Sequence, residues 1–276
     1  MLVRLKVKVS PFITTDYTGK FVKTLLITAN PELEKIFEDK KYPSPKPLRI
    51  TPLLKGDDEV PVYPKVIGKA EKPKEKPSPI SVGGEYYVYI GYDASLEEQV
   101  SIAITRLLGG VEVDYGGKVG VRLLEFERVE QKVPKEFDAV KVYFISPAVF
   151  VDPFVKITQT DKDRAKRFLP FPAFIFSVNV YELFKDKYKR NIIRLSYSLV
   201  ESHTVLNTVK KVWYYYDGNW LPGVIGYAKF FLRKNVHKYA KVAVRKILQN
   251  AIEMGVGSGR AAGFGFIKMK FDKQGG

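Results

Sequence analysis

The chain has 276 residues, of which 45% are hydrophobic, enough to form a core in one large domain or in two of about 100 to 150 residues each. Its 46 Lys and Arg outnumber 30 Asp and Glu, giving a formal net charge of +16, so the leading inference is a polyanionic partner, usually nucleic acid. An anionic membrane surface is the alternative. No apolar run approaches the roughly 18 to 20 residues that span a bilayer, so we expect no membrane insertion.

Cysteine is absent, which excludes disulfide frameworks, thiolate zinc sites and cysteine nucleophiles. The two histidines, His203 and His237, form no HExxH motif, and the acidic residues are not clustered. We therefore expect no metal site and assign both histidines structural or surface roles. Any catalysis has to use Lys, Arg, Tyr, Ser or the scattered acids.

The first half of the chain predicts one ferredoxin-like unit with the element order β-α-β-β-α-β. Residues 2–9 alternate apolar and charged side chains, which is typical of a half-exposed strand and not of a signal peptide. The following elements are a helix over 16–29, a strand over 48–54, a loop rich in Lys and Pro over 68–79, a strand over 85–92, a helix over 96–108 and a strand over 119–129. The composition of the loop predicts that it is mobile.

The second half repeats this order after a polar linker at residues 130–136. Its expected elements are a strand over 139–150, a helix near 164–188, a strand over 190–200, a hairpin over 210–232 with its turn at 217–219, a helix over 235–252 and a strand over 264–271. We predict an α+β fold of tandem ferredoxin-like (RRM-like) β-α-β-β-α-β domains, with domain ranges 1–133 and 137–276. No repeat is visible in the residues themselves.

Two of the predicted helices carry a basic face. On the first helix, about 100° per residue separates an apolar side from a side with Tyr17, Lys20 and Lys23. On the last helix, the basic face has no acid to form salt bridges, which favours a track for phosphates over a merely solvated face. Its residues are Lys234, Lys238, Lys241 and Arg245.

Five glycines lie within residues 255–265, after the last helix and before the last strand. This order is the reverse of a P-loop or dinucleotide-binding turn, which disfavours a nucleotide cofactor. The alternative interpretations are a helix C-cap with a bulged strand start, or a backbone cradle whose N–H groups bind phosphate oxygens. The donors of such a cradle are Gly255, Gly257, Gly259 and the side chains of Ser258 and Arg260.

Several segments together resemble a known family. GVGSGRAAGFGF after a basic helix resembles the C-terminal glycine-rich loop of the repeat-associated mysterious proteins of CRISPR systems, and SPAVF at residues 146–150 is similar to their recurring strand end. TGKFVKTLLI at 18–27 and PKPLRITPL at 45–53 resemble the first helix and the following strand of the Cas6 endoribonucleases within that group. The order of these segments carries the resemblance over most of the chain.

The resemblance implies a cytoplasmic enzyme with two ferredoxin-like domains and no cofactor. It would cleave CRISPR repeat RNA without a metal, leaving a 2′,3′-cyclic phosphate and a 5′-hydroxyl. Many members use a histidine in the first domain, where this sequence has none. Lys23 and Lys20 match lysine positions of histidine-lacking archaeal members, and Lys46 matches a lysine before the second strand. Tyr17 lies on the same face and is a candidate for positioning the phosphate, with helix packing as the alternative.

One position departs from the family pattern. Histidine-lacking relatives carry an arginine before the G-V-x-G of the strand that reads PGVIGY here, and Pro222 occupies its place. Arg233 or Lys229 are the candidates to replace that arginine. This departure bears on efficient catalysis, so a non-catalytic RNA-binding subunit of a CRISPR effector complex stays open as an alternative. The sequence does not distinguish a monomer from a homodimer.

A third hypothesis is a general RNA-binding protein with RRM-like domains. The aromatic motif of RRM strands is absent from a central strand, and GFGFIKMKF at the last strand is only a partial match. The aromatic residues at positions 213–220 of the predicted hairpin could stack on bases. Because side chains alternate along a strand, core packing is the alternative for each of them.

Overall fold

The computed structural model describes residues 1–39, 44–155 and 166–273, which form two compact units. Unit one comprises residues 1–130, 212–222 and 260–264, apart from the undescribed residues 40–43. Unit two comprises the described residues within 131–211, 223–259 and 265–276. The predicted domain ranges stay a prediction.

Unit one contains a sheet in the order β4-β3-β6-β1-β8-β7, with β2 paired to β6 beside this path. Its helices and strands are β1 (Leu2–Thr14), α1 (Thr18–Ala29), α2 (Glu34–Glu38), β2 (Leu48–Ile50), β3 (Leu54–Lys55), β4 (Val60–Pro61), β5 (Lys65–Ile67), β6 (Ile80–Tyr92), α3 (Glu97–Gly109), β7 (Val111–Asp114) and β8 (Lys118–Arg128). The long strands β6, β1 and β8 pair antiparallel. Along the chain, β1, α1, β2, β6, α3 and β8 follow one another in the predicted β-α-β-β-α-β order.

The core of unit one follows from the alternation along β1. Val3, Leu5, Val7 and Val9 are buried on one face of the strand, as the sequence pattern predicts. Helix α1 buries its apolar side, and α3 buries residues spaced three and four apart, in the same hydrophobic cluster. A sheet covered on one face by two helices is therefore the scaffold of unit one.

Unit two contains a second sheet, in which β15, β9 and β14 are antiparallel neighbours and β12 pairs with the end of β14. The elements that lie wholly or partly in unit two are β9 (Ala139–Ala148), β10 (Phe150–Val151), β11 (Lys166–Arg167), α4 (Pro172–Ile175), α5 (Ser177–Phe184), α6 (Tyr188–Ser198), β12 (Leu199–Glu201), α7 (Val205–Thr208), β13 (Val209–Tyr216), β14 (Asn219–Leu232), α8 (Lys238–Met254) and β15 (Ile267–Asp272). Strand β9, the helices α4 to α6, β12, β14, α8 and β15 again give the expected order.

The hairpin of β13 and β14 turns at Asp217 and Gly218, as the DG pair predicts. Both residues have positive φ, 49° and 80°, which matches the two-residue turns that suit the twist of a hairpin. The hairpin tip belongs to unit one, where Val212, Trp213 and Tyr214 pair antiparallel with β5.

The predicted strand over residues 190–200 is wrong, because most of this segment forms helix α6. Its buried residues Asn191, Ile192, Leu195 and Ser198 recur every three or four positions, which is the helical period. The β-branched and aromatic residues of the segment favoured a strand, but the spacing of its buried side chains is that of a helix. The helix predicted near 164–188 is present only as α4 and α5, because Lys166 and Arg167 form strand β11 and helix begins at Pro172. Residues 164–165 lie outside the described residues.

The Lys- and Pro-rich loop over residues 68–79 is held to the hairpin tip of unit one. The indole Nε1 of Trp213 donates a hydrogen bond to the Lys69 carbonyl oxygen at 3.1 Å, and that of Trp220 donates to the Glu75 carbonyl oxygen at 2.7 Å. Both indoles are buried. Two anchors therefore fasten a loop that composition alone predicts to be mobile.

The described ranges contain no helix that is both long and apolar enough to cross a membrane.

We predict that Gly265→Ala destabilises the protein far more than Gly116→Ala. The two glycines have nearly equal φ, 67° and 68°. Alanine in this left-handed conformation therefore lowers the free energy of unfolding by the same amount at each position, about 1 to 2 kcal/mol. A Cβ at Gly265 would also overlap the Val256 carbonyl oxygen, whereas nothing lies near Gly116. We expect a further loss of about 2 kcal/mol or more at Gly265, measured by urea unfolding. Equal losses in the two variants would contradict the close backbone contact.

Candidate functional site

Lys23 lies on the polar side of α1, where its ammonium meets a carboxylate that the sequence analysis missed. The Lys23 Nζ is 2.7 Å from Oε1 of Glu38 at the end of α2, and the Lys23 side chain is only 16% exposed. Glu38 is one of two acids in the short helix α2, and no spacing singles it out. Its pairing with Lys23 is visible only in the folded chain, where the end of α2 lies beside α1.

Lys46 belongs to the same cluster. Its Nζ donates a hydrogen bond to the Phe37 carbonyl oxygen at 2.6 Å, next to Glu38 in the chain. Burial lowers the pKa of Lys46 below its usual value; the Glu38 carboxylate opposes this effect and the Lys23 ammonium adds to it. The structure thus brings together Lys23 and Lys46, two of the predicted catalytic lysines, and adds Glu38. We call these three residues the lysine cluster.

Lys20 faces a different environment from the lysine cluster. Its Nζ is 3.2 Å from Asp16 Oδ2 and 3.0 Å from Asp217 Oδ1 in the hairpin turn. Although burial lowers the pKa of Lys20, hydrogen bonds to Asp217 and Asp16 raise it more. A lysine held between two carboxylates at a raised pKa is a poor proton acceptor. The geometry supports an anchor for the hairpin turn and not the predicted catalytic role.

Tyr17 is fully buried, so the expectation that it lies on an exposed face is wrong. It directly precedes α1, and its hydroxyl donates a hydrogen bond to the Gly263 carbonyl oxygen at 2.8 Å. Its ring packs against Tyr63 and Phe264, with centroid distances of 5.0 and 4.7 Å. These partners are distant in sequence, and they hold the Tyr17 ring in the interior of unit one, as the helix-packing alternative expects.

Several backbone N–H groups of the glycine loop donate hydrogen bonds to carbonyl oxygens of the protein itself. The N–H of Gly255 caps α8 by donating to the Ala251 carbonyl oxygen at 2.9 Å, and the N–H of Ser258 donates to the Val149 carbonyl oxygen at 2.9 Å. The Ser258 hydroxyl is 3.3 Å from the same oxygen. These bonds correct the expectation that Gly255 and Ser258 present free donors to a phosphate.

Two further residues of the predicted cradle are enclosed by the protein. Gly257 is buried, and a Cβ there would overlap the Val149 carbonyl oxygen, so the close approach of two backbones explains this glycine. Arg260 is only 4% exposed and has partners within the protein, and its contact with RNA stays a prediction. Gly259 is the exposed member of the predicted set. The C-cap interpretation therefore accounts for most of the loop.

Helix α8 carries Lys238, Lys241 and Arg245 of the predicted basic face, whereas Lys234 lies in the turn before the helix begins. Ala240, Ala243, Ile247 and Ala251 are buried along one side of the helix, while Lys238 and Lys241 are exposed on the other. The side chains of Arg233, Lys234, Lys241 and Arg245 line one pocket of unit two, and Lys238 lies outside the lining of that pocket.

The aromatic residues of the hairpin are mostly core residues. Trp213, Tyr214, Tyr215 and Trp220 are each less than 9% exposed, and Tyr214 packs against Phe264 at a centroid distance of 4.8 Å. The stacking of bases on these rings is therefore not supported.

The outer face of the unit one sheet does not resemble an RRM surface. Lys6 Nζ is 3.0 Å from Glu85 Oε2, and Arg4 is 2.9 Å from Glu127 Oε1. These residues alternate with the buried side chains of β1, so they lie on the face opposite to the core. Because carboxylates neutralise its cations, this face is poorly suited to bind nucleic acid as an RRM sheet does.

Within residues 1–39, 44–155 and 166–273, no group of three or more His, Cys, Asp or Glu side chains is placed to hold a metal ion.

The lysine cluster predicts pKa shifts of opposite sign in two variants. In the parent protein we expect Lys46 to titrate below its usual value of 10.5. Glu38→Gln removes a negative charge that raises the pKa, so the Lys46 pKa should fall further. Lys23→Met removes a positive charge that lowers it, so the pKa should rise. NMR titration of ¹³C-labelled lysine measures both shifts, and shifts of the same sign would contradict the cluster.

No protein-family model and no curated protein matches this chain. Solved structures do match it: a Cas6 product complex at 16% identity over 98% of both chains, with a TM-score of 0.64. A Cas6 of Thermus thermophilus matches at 14% identity over 98% of this chain and 97% of that chain, with a TM-score of 0.59. The product of a Cas6-related gene from Pyrococcus furiosus matches at 15% identity, over 98% of this chain and 99% of that chain, with a TM-score of 0.53. The chain therefore has the fold of these Cas6 structures, which confirms the predicted α+β class of tandem ferredoxin-like domains.

Proposed function

We propose that this protein is a metal-independent endoribonuclease that cleaves CRISPR repeat RNA into guide RNA. The lysine cluster is the observation that carries the proposal, because Lys23 and Lys46, the lysines that the sequence resemblance implies, interact with each other's charge and with Glu38. The fold, which it shares with a Cas6 product complex, and the net charge of +16 support an RNA substrate.

The proposed reaction is an internal transesterification of the RNA backbone. The ribose 2′-hydroxyl loses its proton, and its oxygen forms a bond to the adjacent phosphorus. The bond from phosphorus to the 5′-oxygen then breaks, and that oxygen takes a proton. The products are a 2′,3′-cyclic phosphate and a 5′-hydroxyl, and no water or metal enters the balance.

The two lysines suit different steps of this reaction. Lys46 has a lowered pKa, so a larger fraction of it is neutral and able to accept the 2′-hydroxyl proton. Lys23 is paired with Glu38 and supplies positive charge to the crowded phosphate and a proton to the leaving 5′-oxygen. Glu38 positions Lys23 and opposes the lowering of the Lys46 pKa.

A non-catalytic RNA-binding subunit of a CRISPR effector complex is the second candidate function. The ion pair of 2.7 Å between Lys23 and Glu38 favours it, because a lysine already neutralised by a carboxylate offers less charge to a reacting phosphate. The sequence has no histidine before His203 that could take over the chemistry.

Incubation of the protein with repeat RNA distinguishes the two candidate functions, because only the nuclease cuts the RNA. We expect the purified protein to cut repeat RNA in the presence of EDTA, and to leave intact an RNA with a single 2′-deoxyribose at the cleaved position. The products should carry a 2′,3′-cyclic phosphate. Intact natural RNA would overturn the nuclease proposal in favour of the binding subunit. Cleavage of the deoxy substrate would overturn the attack by the 2′-oxygen.

Alanine variants test the assigned lysines. We expect Lys46→Ala and Lys23→Ala to slow single-turnover cleavage by about 100- to 10,000-fold at saturating RNA, because each loses a group that moves a proton or neutralises charge. The dissociation constant of a non-cleavable RNA should change much less.

Lys35→Ala is the matched control, because Lys35 is an exposed lysine of the neighbouring helix α2. We expect it to cleave at the parent rate. Equal losses of rate and of affinity in the Lys46 and Lys23 variants would reassign these lysines to binding.

A further inference from the structure

Unit two has a pocket of about 210 Å³ at one end of its sheet. Residues 135–138 before β9, Leu232 at the end of β14, and Lys273 after β15 form its walls together with one side of α8. Strand ends and a helix thus supply side chains from distant parts of the chain to one small volume.

The pocket concentrates positive charge. Its lining contains two acids, Glu136 and Asp138, and six cations: Lys135, Arg233, Lys234, Lys241, Arg245 and Lys273. Lys273 pairs with Glu136 at 3.2 Å. Among the residues that the structure describes, the other five cations form no ion pair with a carboxylate. Because the six cations outnumber the two acids and like charges repel, a bound anion would stabilise this arrangement.

Arg245 adds an independent observation. Its Nε is buried and has no hydrogen-bond partner within the described part of the chain. A buried donor without an acceptor is uncommon and destabilising, particularly when it belongs to a charged group. An acceptor bound in the pocket would satisfy this donor.

We propose that this pocket binds a backbone phosphate of RNA. The proposal rests on the proposed function for the identity of the ligand, and on the pocket for its chemistry. A phosphodiester presents two unshared oxygens and one negative charge, which match the planar fork of Arg245 and the ammonium of Lys241. The volume admits a phosphate with part of a sugar and excludes a base-paired stem.

A site of this kind holds the RNA in place without reading its sequence. Phosphate contacts carry no base information, and their contribution falls as salt concentration rises because binding releases counterions. The pocket therefore contributes affinity and register, and its loss should affect all RNA sequences alike.

Substitution of the two α8 cations tests the pocket. The probe is a fluorescent repeat RNA with a 2′-deoxyribose at the cleaved position, so that binding is measured without cleavage. We expect Arg245→Met and Lys241→Met each to weaken binding by about tenfold, and to reduce the slope of log Kd against log salt by about one. Lys246→Met is the matched control, since Lys246 is an exposed cation of α8 outside the pocket, and its affinity should match the parent.

Further variants separate charge from fold and from catalysis. Arg245→Lys should recover part of the affinity if Arg245→Met acts through its charge, and parent-like thermal unfolding would show that the variants fold. Unchanged affinity and slope in Arg245→Met and Lys241→Met would overturn the proposal. Unchanged RNA affinity together with saturable binding of inorganic phosphate that Arg245→Met abolishes would also overturn it, in favour of a small anion.

The proposed nuclease activity can fail without affecting this result. If the natural RNA stays intact in EDTA but Arg245→Met still weakens binding tenfold and lowers the salt slope, the pocket stands and only the catalytic proposal fails.

Discussion

The close approach of backbones around the glycine loop is the constraint on which unit two depends. Gly257 packs on the Val149 carbonyl and Gly265 on the Val256 carbonyl, at positions where any side chain would overlap an oxygen. These contacts join the end of α8 to the end of β9 and to the start of β15. A loop that is rich in glycine for this reason needs no ligand to explain its composition. Its residues 260–264 also supply Gly263 and Phe264 as partners of Tyr17 in unit one.

Local sequence patterns predicted the parts of the fold that local forces decide. The alternation of β1, the Asp217–Gly218 turn and the basic face of α8 depend on neighbours within a few residues, and all three are present. Helix α6 was missed because its composition favoured a strand, although the spacing of its buried residues is helical. The burial of Tyr17 and the pairing of Lys23 with Glu38 depend on contacts that only the folded chain brings together.

The distribution of ion pairs is more informative than the net charge of +16. On the outer face of the unit one sheet, Lys6 and Arg4 are paired with carboxylates, so a basic sequence there yields a nearly neutral surface. At the pocket of unit two, cations from four segments meet with few acids. Positions of the basic residues along the chain do not distinguish these two cases. The difference is set by which strands and helices are adjacent, and so by the fold.

The two indole anchors have a spectroscopic consequence. The chain has only two tryptophans, and both donate their Nε1 hydrogen to carbonyl oxygens of the Lys- and Pro-rich loop. Intrinsic tryptophan emission of this protein therefore reports on one place, the contact between that loop and the hairpin tip. Release of the loop would expose both indoles to water and move the emission to longer wavelength, so the native protein carries its own optical probe of this segment.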